Sequence, residues 1–136
     1  SIPKQIKVAS LNCAGLSKHI SDIREDLKLL TADIINLTET SILPSDNTDN
    51  FQIPGFVSHF IVIGKGKGIA TYVKETMARN VIFEEHTQND VSMLQMDLKE
   101  QNDFIYLKLL SQCNESVITK IKMSKKLCQF GVIKFI

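Results

Sequence analysis

Two polar residues early in the chain could act together on a phosphate group. Asn12 ends a stretch of apolar and small residues, and Glu39 directly follows a second apolar stretch. A carboxylate such as that of Glu39 can hold Mg²⁺, which binds few carboxylates and keeps several of its waters. An amide beside it can orient a phosphate or a bound water. Because a single polar residue at a strand end more often serves as a turn or cap, this chemistry depends on the two residues lying side by side.

A glycine-rich stretch at residues 64–68 carries Lys65 and Lys67. Phosphate-binding loops of similar composition need Gly-x-x-x-x-Gly-Lys-Ser/Thr followed by a helix, and this stretch meets neither requirement. The sequence therefore favours a hairpin turn here, with the two lysines as phosphate contacts in the lesser alternative.

The cysteines and histidines form no recognisable site in the sequence. The cysteines are at positions 13, 113 and 128, and the histidines are at positions 19, 59 and 86. Their spacing matches no zinc motif such as Cys-x-x-Cys, and no Gly-x-Ser-x-Gly nucleophile motif is present. Because three cysteines are an odd and small number, we expect a reducing compartment rather than a disulfide framework.

The elements that would bring Asn12 and Glu39 together can be predicted from apolar spacing. Residues 5–12 and 34–38 are short apolar runs typical of buried strands. Between them, apolar residues at positions 20, 23, 27 and 30 share one face of a helix over residues 17–30. This order indicates a βαβ unit with two parallel neighbouring strands. Their carboxyl ends then meet at one sheet edge, where ligands of α/β proteins collect.

The rest of the chain is expected to add mainly antiparallel strands. Residues 43–55, rich in Pro, Asn and Asp, indicate a loop. Residues 56–63 and 69–73 flank the glycine-rich turn as a hairpin. Further strands are expected at 80–85, 91–98 and 104–109, a helix is one option for 117–123, and a strand is one option for 127–136.

Composition and charge exclude several classes of protein. Hydrophobic residues make up 43% and charged residues 23% of the 136 residues, which is typical of one globular domain. No apolar run approaches the ~18 residues of a membrane span, and no signal sequence is evident, so we expect an intracellular location, with the nucleus as an option. The net charge of +1 hides two basic segments, at 65–79 and 120–134. The default interpretation of these segments is a solvated, lysine-rich surface. The more specific interpretation is that they contact a polyanion.

Three motifs give the chain a resemblance to a known family. They are VASLNCAGL at residues 8–16, ADIINLTET at 32–40 and GKGIATYVK at 66–74. In this order and spacing they resemble the endonuclease/exonuclease/phosphatase superfamily, which has the DNase I-like fold. More narrowly, they resemble endonuclease-like domains of mobile elements, including non-LTR retrotransposons and helicase-bearing transposons. The resemblance covers residues 6 to about 98.

The resemblance implies an α/β fold and a hydrolytic site. The fold would be part of a DNase I-like α/β sandwich, with a βαβ start followed by antiparallel strands in a mixed sheet. The family cleaves phosphodiester bonds in DNA with Mg²⁺. Carried over, Glu39 would ligate the metal, and Asn12 would position phosphate or a metal-bound water. Tyr106 is the one candidate for a later Tyr-Arg motif, although Leu107 stands where Arg is expected.

The later catalytic motifs of the family do not occur in these 136 residues. The sequence contains no Asp-x-Asn motif and no Ser-Asp-His motif, which would supply the base and its orienting carboxylate. We therefore expect residues 1–110 to be the N-terminal half of such a domain and residues 111–136 to be a divergent, lysine-rich tail. The expected function is a truncated Mg²⁺-dependent nuclease that is inactive in isolation. The alternative is a non-catalytic fragment that binds nucleic acid through segments 65–79 and 120–134.

Overall fold

In the residues that it describes, the computed structural model contains two β-sheets, three short α-helices and one 3₁₀ helix. It describes residues 5–78, 81–88, 91–100, 103–111, 116–123 and 129–133. The first sheet has five strands and the second has four. The strands of the first sheet are β1 (Gln5–Asn12), β2 (Ile34–Thr38), β3 (Phe56–Ile61), β4 (Ile69–Lys74) and β9 (Gln129–Ile133). Those of the second are β5 (Val81–Gln88), β6 (Val91–Glu100), β7 (Asp103–Ser111) and β8 (Ser116–Met123).

The first sheet is built around the parallel pair β1 and β2. Asn12 lies opposite Thr38 in this pair, so both strands end at the same edge of the sheet. The strand order is β3-β4-β2-β1-β9, with β9 parallel to β1 and the hairpin β3–β4 antiparallel. All five residues of β2 are buried, as expected for a central strand covered on both faces. The predicted βαβ start is confirmed.

The helical segment after β1 is broken in two, where the sequence predicts one helix over residues 17–30. Helix α1 spans Leu16–Glu25 and helix α2 spans Leu27–Leu30. Between them Asp26 is extended, and its Oδ1 accepts hydrogen bonds from the backbone N–H groups of Lys28 and Leu29. An aspartate in this position is a favoured helix N-cap. Because the apolar residues keep helical spacing across Asp26, the sequence pattern gives no indication of the break.

The second sheet is antiparallel throughout, in the order β5-β6-β7-β8. The helical option for residues 117–123 is wrong, because β8 pairs with β7 along this stretch. The valine and isoleucines of this stretch favour a pleated strand. A further short helix, α3 (Glu75–Ala78), and a 3₁₀ helix within the 43–55 loop (Thr48–Phe51) are not predicted from the sequence.

The main core lies between the first sheet and α1. It contains Ala9, Leu16, Ile20, Ile23, Ile35, Leu37, Phe51, Ile53, Phe56 and Tyr72. The Tyr72 hydroxyl, fully buried in this core, donates a 2.7 Å hydrogen bond to the carbonyl of Phe51. Arg24 ties α1 to the loop, since its Nε donates to the Gln52 carbonyl at 2.8 Å. This core fixes the position of β1 and β2, and therefore of the residues at their carboxyl ends.

The two sheets contact each other through His59 on β3. Its Nε2 lies 2.6 Å from Glu85 Oε1, and its ring stacks on Phe83 at a centroid distance of 4.9 Å. Within the described ranges, none of the helices has the length and apolar character needed to cross a membrane.

Candidate metal and phosphate site

Asn12 and Glu39 are in direct contact at the edge where β1 and β2 end. The Asn12 Nδ2 group donates a hydrogen bond to Glu39 Oε2. The other end of the amide is also used, because Asn12 Oδ1 accepts a 3.1 Å hydrogen bond from the Ala14 backbone. The amide therefore holds one oxygen of the half-buried Glu39 carboxylate in a fixed place. The parallel strands bring together the pair that the sequence singles out.

Glu39 and two residues near the pair have left-handed backbones although none of the three is glycine. The φ angles are 47° at Ala14, 52° at Glu39 and 56° at Ser41. This region costs L-residues roughly 1–2 kcal/mol each relative to the right-handed region. Such conformations persist only where the surrounding structure holds them, and they concentrate at functional sites.

Backbone hydrogen bonds lock three loops together here: residues 13–16, residues 39–41 and the glycine-rich turn. Gly15 N donates to the Glu39 carbonyl at 2.9 Å, and Leu16 N donates to the Thr40 carbonyl at the same distance. On the other side, Ser41 N donates to the Lys67 carbonyl at 2.9 Å. The Glu39 segment is thus held between its two neighbours, which explains how its unfavourable backbone is maintained.

The glycine-rich turn carries its lysines to this neighbourhood. Its anchor is Ser41, whose Oγ accepts a 2.8 Å hydrogen bond from Gly66 N. Lys65 is exposed and Lys67 is partly buried. The predicted hairpin turn is confirmed, and it is attached directly to the segment that follows Glu39. The backbone of the turn therefore lies next to the residue two positions after Glu39.

The donor set suits Mg²⁺ bound mainly through water. The described part of the chain holds no group of three or more His, Cys, Asp and Glu side chains arranged around one metal position. A closed zinc-like site is therefore not formed by these residues. Mg²⁺ instead takes one or two carboxylates and completes its shell with waters and substrate phosphates. Glu39, hydrogen-bonded to Asn12, is a carboxylate of the kind that such a site uses.

A cleft of about 350 Å³ adjoins Asn12 and runs along α1. Its polar walls include His19, Asp22 and Asp26, and its apolar walls include Leu11 and Leu29. The two aspartates make this side of Asn12 unfavourable for phosphate oxygens.

Cys13 has no nucleophilic role in this arrangement. Burial raises the pKa of its thiol to about 11, and its Sγ lies 3.3 Å from the Thr38 carbonyl. The thiolate, which is the reactive form, is therefore scarce near neutral pH. Cys13 is a core residue.

Tyr106, the candidate for the later Tyr-Arg motif, lies in the second sheet. Its backbone lies in β7 of the second sheet, opposite Asp97 and Lys122, and its side chain is outside the described part. Sequence reasoning missed Thr40 and Ser41, which flank the site. The left-handed backbone of Ser41 leaves no signature in a sequence, and the buried contact of Thr40 with Gly68 joins segments that are distant in the chain.

Comparison with known proteins identifies the fold. No protein-family model matches the chain, and no curated protein matches it either. Among solved structures, the crystal structure of the AP endonuclease LMAP from Leishmania major is similar, with a TM-score of 0.54 and 18% sequence identity. The match covers 76% of this chain and 38% of that one, so the chain spans well under half of the length of this solved relative. The chain has the DNase I-like α/β fold, and the predicted fold class is confirmed.

Proposed function

We propose that this chain contains the N-terminal part of a Mg²⁺-dependent phosphodiesterase site that acts on DNA. The observation that carries the proposal is the contact between Asn12 and Glu39 at the carboxyl edge of two parallel strands. The similarity to an AP endonuclease supports a nuclease ancestry and DNA as the partner. The resemblance of residues 8–16, 32–40 and 66–74 to mobile-element endonucleases supports the narrower ancestry, with residues 1–110 as the shared part and 111–136 as the divergent tail.

In this proposal Glu39 binds the metal and Asn12 keeps the carboxylate in place. A Mg²⁺ ion held by Glu39 would supply charge neutralisation at the phosphate and stabilisation of the leaving oxygen. Lys65, exposed on the turn anchored to Ser41, would attract the phosphate backbone.

We further propose that the chain by itself has little or no nuclease activity. The sequence holds neither the Asp-x-Asn nor the Ser-Asp-His motif that supplies a base for the attacking water. A positioned general base contributes about 10²–10⁴-fold in rate, so its loss leaves metal and phosphate binding without efficient hydrolysis. Metal binding is accordingly the property that tests the site.

The experiment titrates the chain with Mn²⁺, a paramagnetic substitute for Mg²⁺, and measures free Mn²⁺ by electron paramagnetic resonance. The native chain is expected to bind one Mn²⁺ that excess Mg²⁺ displaces. Glu39→Gln is expected to weaken binding at least ~10-fold, in the range that loss of metal-site partners produces. Glu25→Gln, which removes an exposed carboxylate at the end of α1, is the matched control and leaves binding unchanged. Equal affinities of the two variants would contradict the proposed site.

A plasmid-nicking assay with Mg²⁺ tests the proposed inactivity separately. We expect no cleavage above the background of the Glu39→Gln variant. Robust Mg²⁺-dependent nicking that disappears in Glu39→Gln would refute the proposed inactivity and would support the proposed metal site at Glu39.

The second candidate function is nucleic-acid binding without catalysis. The anchored turn favours it, because Lys65 is exposed on a backbone held rigidly by Ser41. In this case DNA affinity falls steeply with salt, survives Glu39→Gln, and decreases when lysines of segments 65–79 and 120–134 are neutralised. Each lost phosphate contact lowers the salt slope by about 0.9. Lys18→Gln, in an exposed position on α1, is the control.

A further inference from the structure

We propose that Thr40 and Gly68 are positioning residues for Glu39: the close approach of the Thr40 side chain to the bare Cα of Gly68 holds the Glu39 carboxylate against Asn12. This inference rests on the proposed function only where it concerns metal affinity. The Asn12–Glu39 contact itself can be measured without metal.

The contact depends on the absence of a side chain at position 68. A Cβ atom placed on Gly68 would lie 2.6 Å from Thr40 Oγ1 and 3.2 Å from the Ile61 carbonyl oxygen. Both distances are shorter than ordinary van der Waals contact, and the backbone of Ile61 cannot move aside easily. The Thr40 side chain therefore occupies space that any other residue at position 68 would need.

The Thr40 hydroxyl gains nothing from hydrogen bonding in this position. Thr40 is 1% exposed, and within the described ranges its Oγ1 has no hydrogen-bond partner. A buried hydroxyl without a partner is unfavourable. The side chain therefore acts through its shape, as a wedge between residues 39–41 and the glycine-rich turn.

This wedge lies at the centre of the strained segment. Thr40 N donates to the Gly68 carbonyl at 3.3 Å, and the residues on either side, Glu39 and Ser41, are both left-handed. If the wedge is displaced, Glu39 can relax to a more favourable backbone conformation. Its carboxylate would then turn away from the Asn12 amide, because side-chain direction follows the backbone.

Gly68→Ala and Gly66→Ala form a matched pair for the test. Both glycines have positive φ angles, 102° and 73°, in the same turn, so both alanines suffer backbone strain. A Cβ on Gly66, however, meets nothing within 4 Å. The difference between the two variants therefore isolates the contact with Thr40 from the strain of the turn.

The first measurement is the chemical shift of the Asn12 side-chain NH₂ group in ¹⁵N-edited NMR spectra, assigned by its loss in Asn12→Ala. In Gly66→Ala we expect the native hydrogen-bonded position. In Gly68→Ala we expect a shift to the position of a solvent-exposed asparagine, with the backbone signals of β1 and β2 retained. The second measurement is Mn²⁺ affinity, which we expect to fall about 10–100-fold in Gly68→Ala and less than about twofold in Gly66→Ala.

Thr40→Ala provides a second route that does not depend on Gly68→Ala folding. It removes the wedge without a clash, so we expect the Asn12 signals to move and Mn²⁺ affinity to fall. In the double variant the new methyl group at position 68 enters the space left by Thr40. We expect the double variant to recover part of both properties, so that its effects are smaller than the sum of the single effects.

Each result decides the inference. Native Asn12 signals in folded Gly68→Ala or in Thr40→Ala would overturn it, and so would strictly additive effects in the double variant. If the native chain binds no Mn²⁺, the proposed function fails, while the Asn12 signals of the same variants still support or overturn the positioning role.

Discussion

Replacing Asn12 by aspartate places a second carboxylate against Glu39. In the native chain Asn12 Nδ2 donates a hydrogen bond to Glu39 Oε2, whereas in Asn12→Asp two negative charges face each other. Losing a hydrogen bond to a charged group costs about 1.5–3 kcal/mol. Two unit charges about 4 Å apart repel by about 1 kcal/mol in water and about 4 kcal/mol near a protein surface. Since Asn12 is exposed and Glu39 half-buried, the lower values apply, and we expect Asn12→Asp to lose about 2.5 kcal/mol of folding free energy at pH 7 without divalent metal.

The pH dependence of this loss gives its electrostatic part. In Asn12→Asp, mutual repulsion makes the folded state bind a proton more readily than the unfolded chain does. The unfolded chain then binds fewer protons, so the stability of the variant increases relative to the native chain as the pH falls from 7 toward about 4. At low pH one protonated carboxyl can also donate the missing hydrogen bond. Millimolar Mg²⁺ at pH 7 is expected to stabilise Asn12→Asp more than the native chain, because it screens both carboxylates.

The assay is urea unfolding followed by circular dichroism, with and without Mg²⁺, across this pH range. Asn12→Ala is the control, because it loses the hydrogen bond and adds no charge. We expect it to lose about 1.5 kcal/mol at pH 7, with a smaller recovery at low pH than Asn12→Asp shows. If Asn12→Asp is as stable as Asn12→Ala at pH 7, the two side chains do not face each other and the site is refuted.

Three further changes test the surroundings of the site. Ala14→Gly is expected to raise stability by about 0.5 kcal/mol, because relief of the left-handed backbone (φ 47°) outweighs the added freedom of the unfolded chain; a loss of stability in urea unfolding would contradict this. Tyr72→Phe is expected to cost about 1–2 kcal/mol in the same assay, because the buried Phe51 carbonyl loses its donor; a native-like midpoint would show that this hydrogen bond contributes nothing. In a variant with the other cysteines replaced by serine, Cys13 of the folded chain is expected to react with iodoacetamide far more slowly than Cys13 of the chain unfolded in urea. The stability of this variant is expected to decrease as the pH rises from 9 toward 11, because folding raises the pKa of the Cys13 thiol to about 11. Rapid labelling in the folded state at neutral pH would contradict the burial of this thiol.

The sequence predicts the part of the fold that depends on local patterns. The apolar runs of β1 and β2 and the helix between them are close in the chain, so their spacing alone indicates parallel strands that end together. This is sufficient to bring Asn12 and Glu39 to one edge. The hairpin around the glycine-rich turn is local as well, so the sequence predicts it for the same reason.

The features that sequence reasoning missed depend on contacts between distant segments. The break at Asp26 interrupts an apolar pattern that continues on both sides of it. Residues 117–123 have a spacing that suits a helix, yet they form β8 because β7 offers them an edge to pair with. The left-handed backbone at Glu39 is maintained by hydrogen bonds from two other loops. Such tertiary contacts override local preference and have no local signature.

The pairing of β1 with β9 has a consequence for synthesis on the ribosome. β1 is the first described strand to emerge and β9 is the last, although they are neighbours in the finished sheet. At typical elongation rates of about 5–20 residues per second, one edge of β1 waits roughly 6–25 s for its partner. During this time β1 can pair with β2, while its other edge offers free N–H and C=O groups to any extended chain nearby. We therefore expect the nascent chain to need a chaperone or low concentration to avoid aggregation, even where the finished fold is stable.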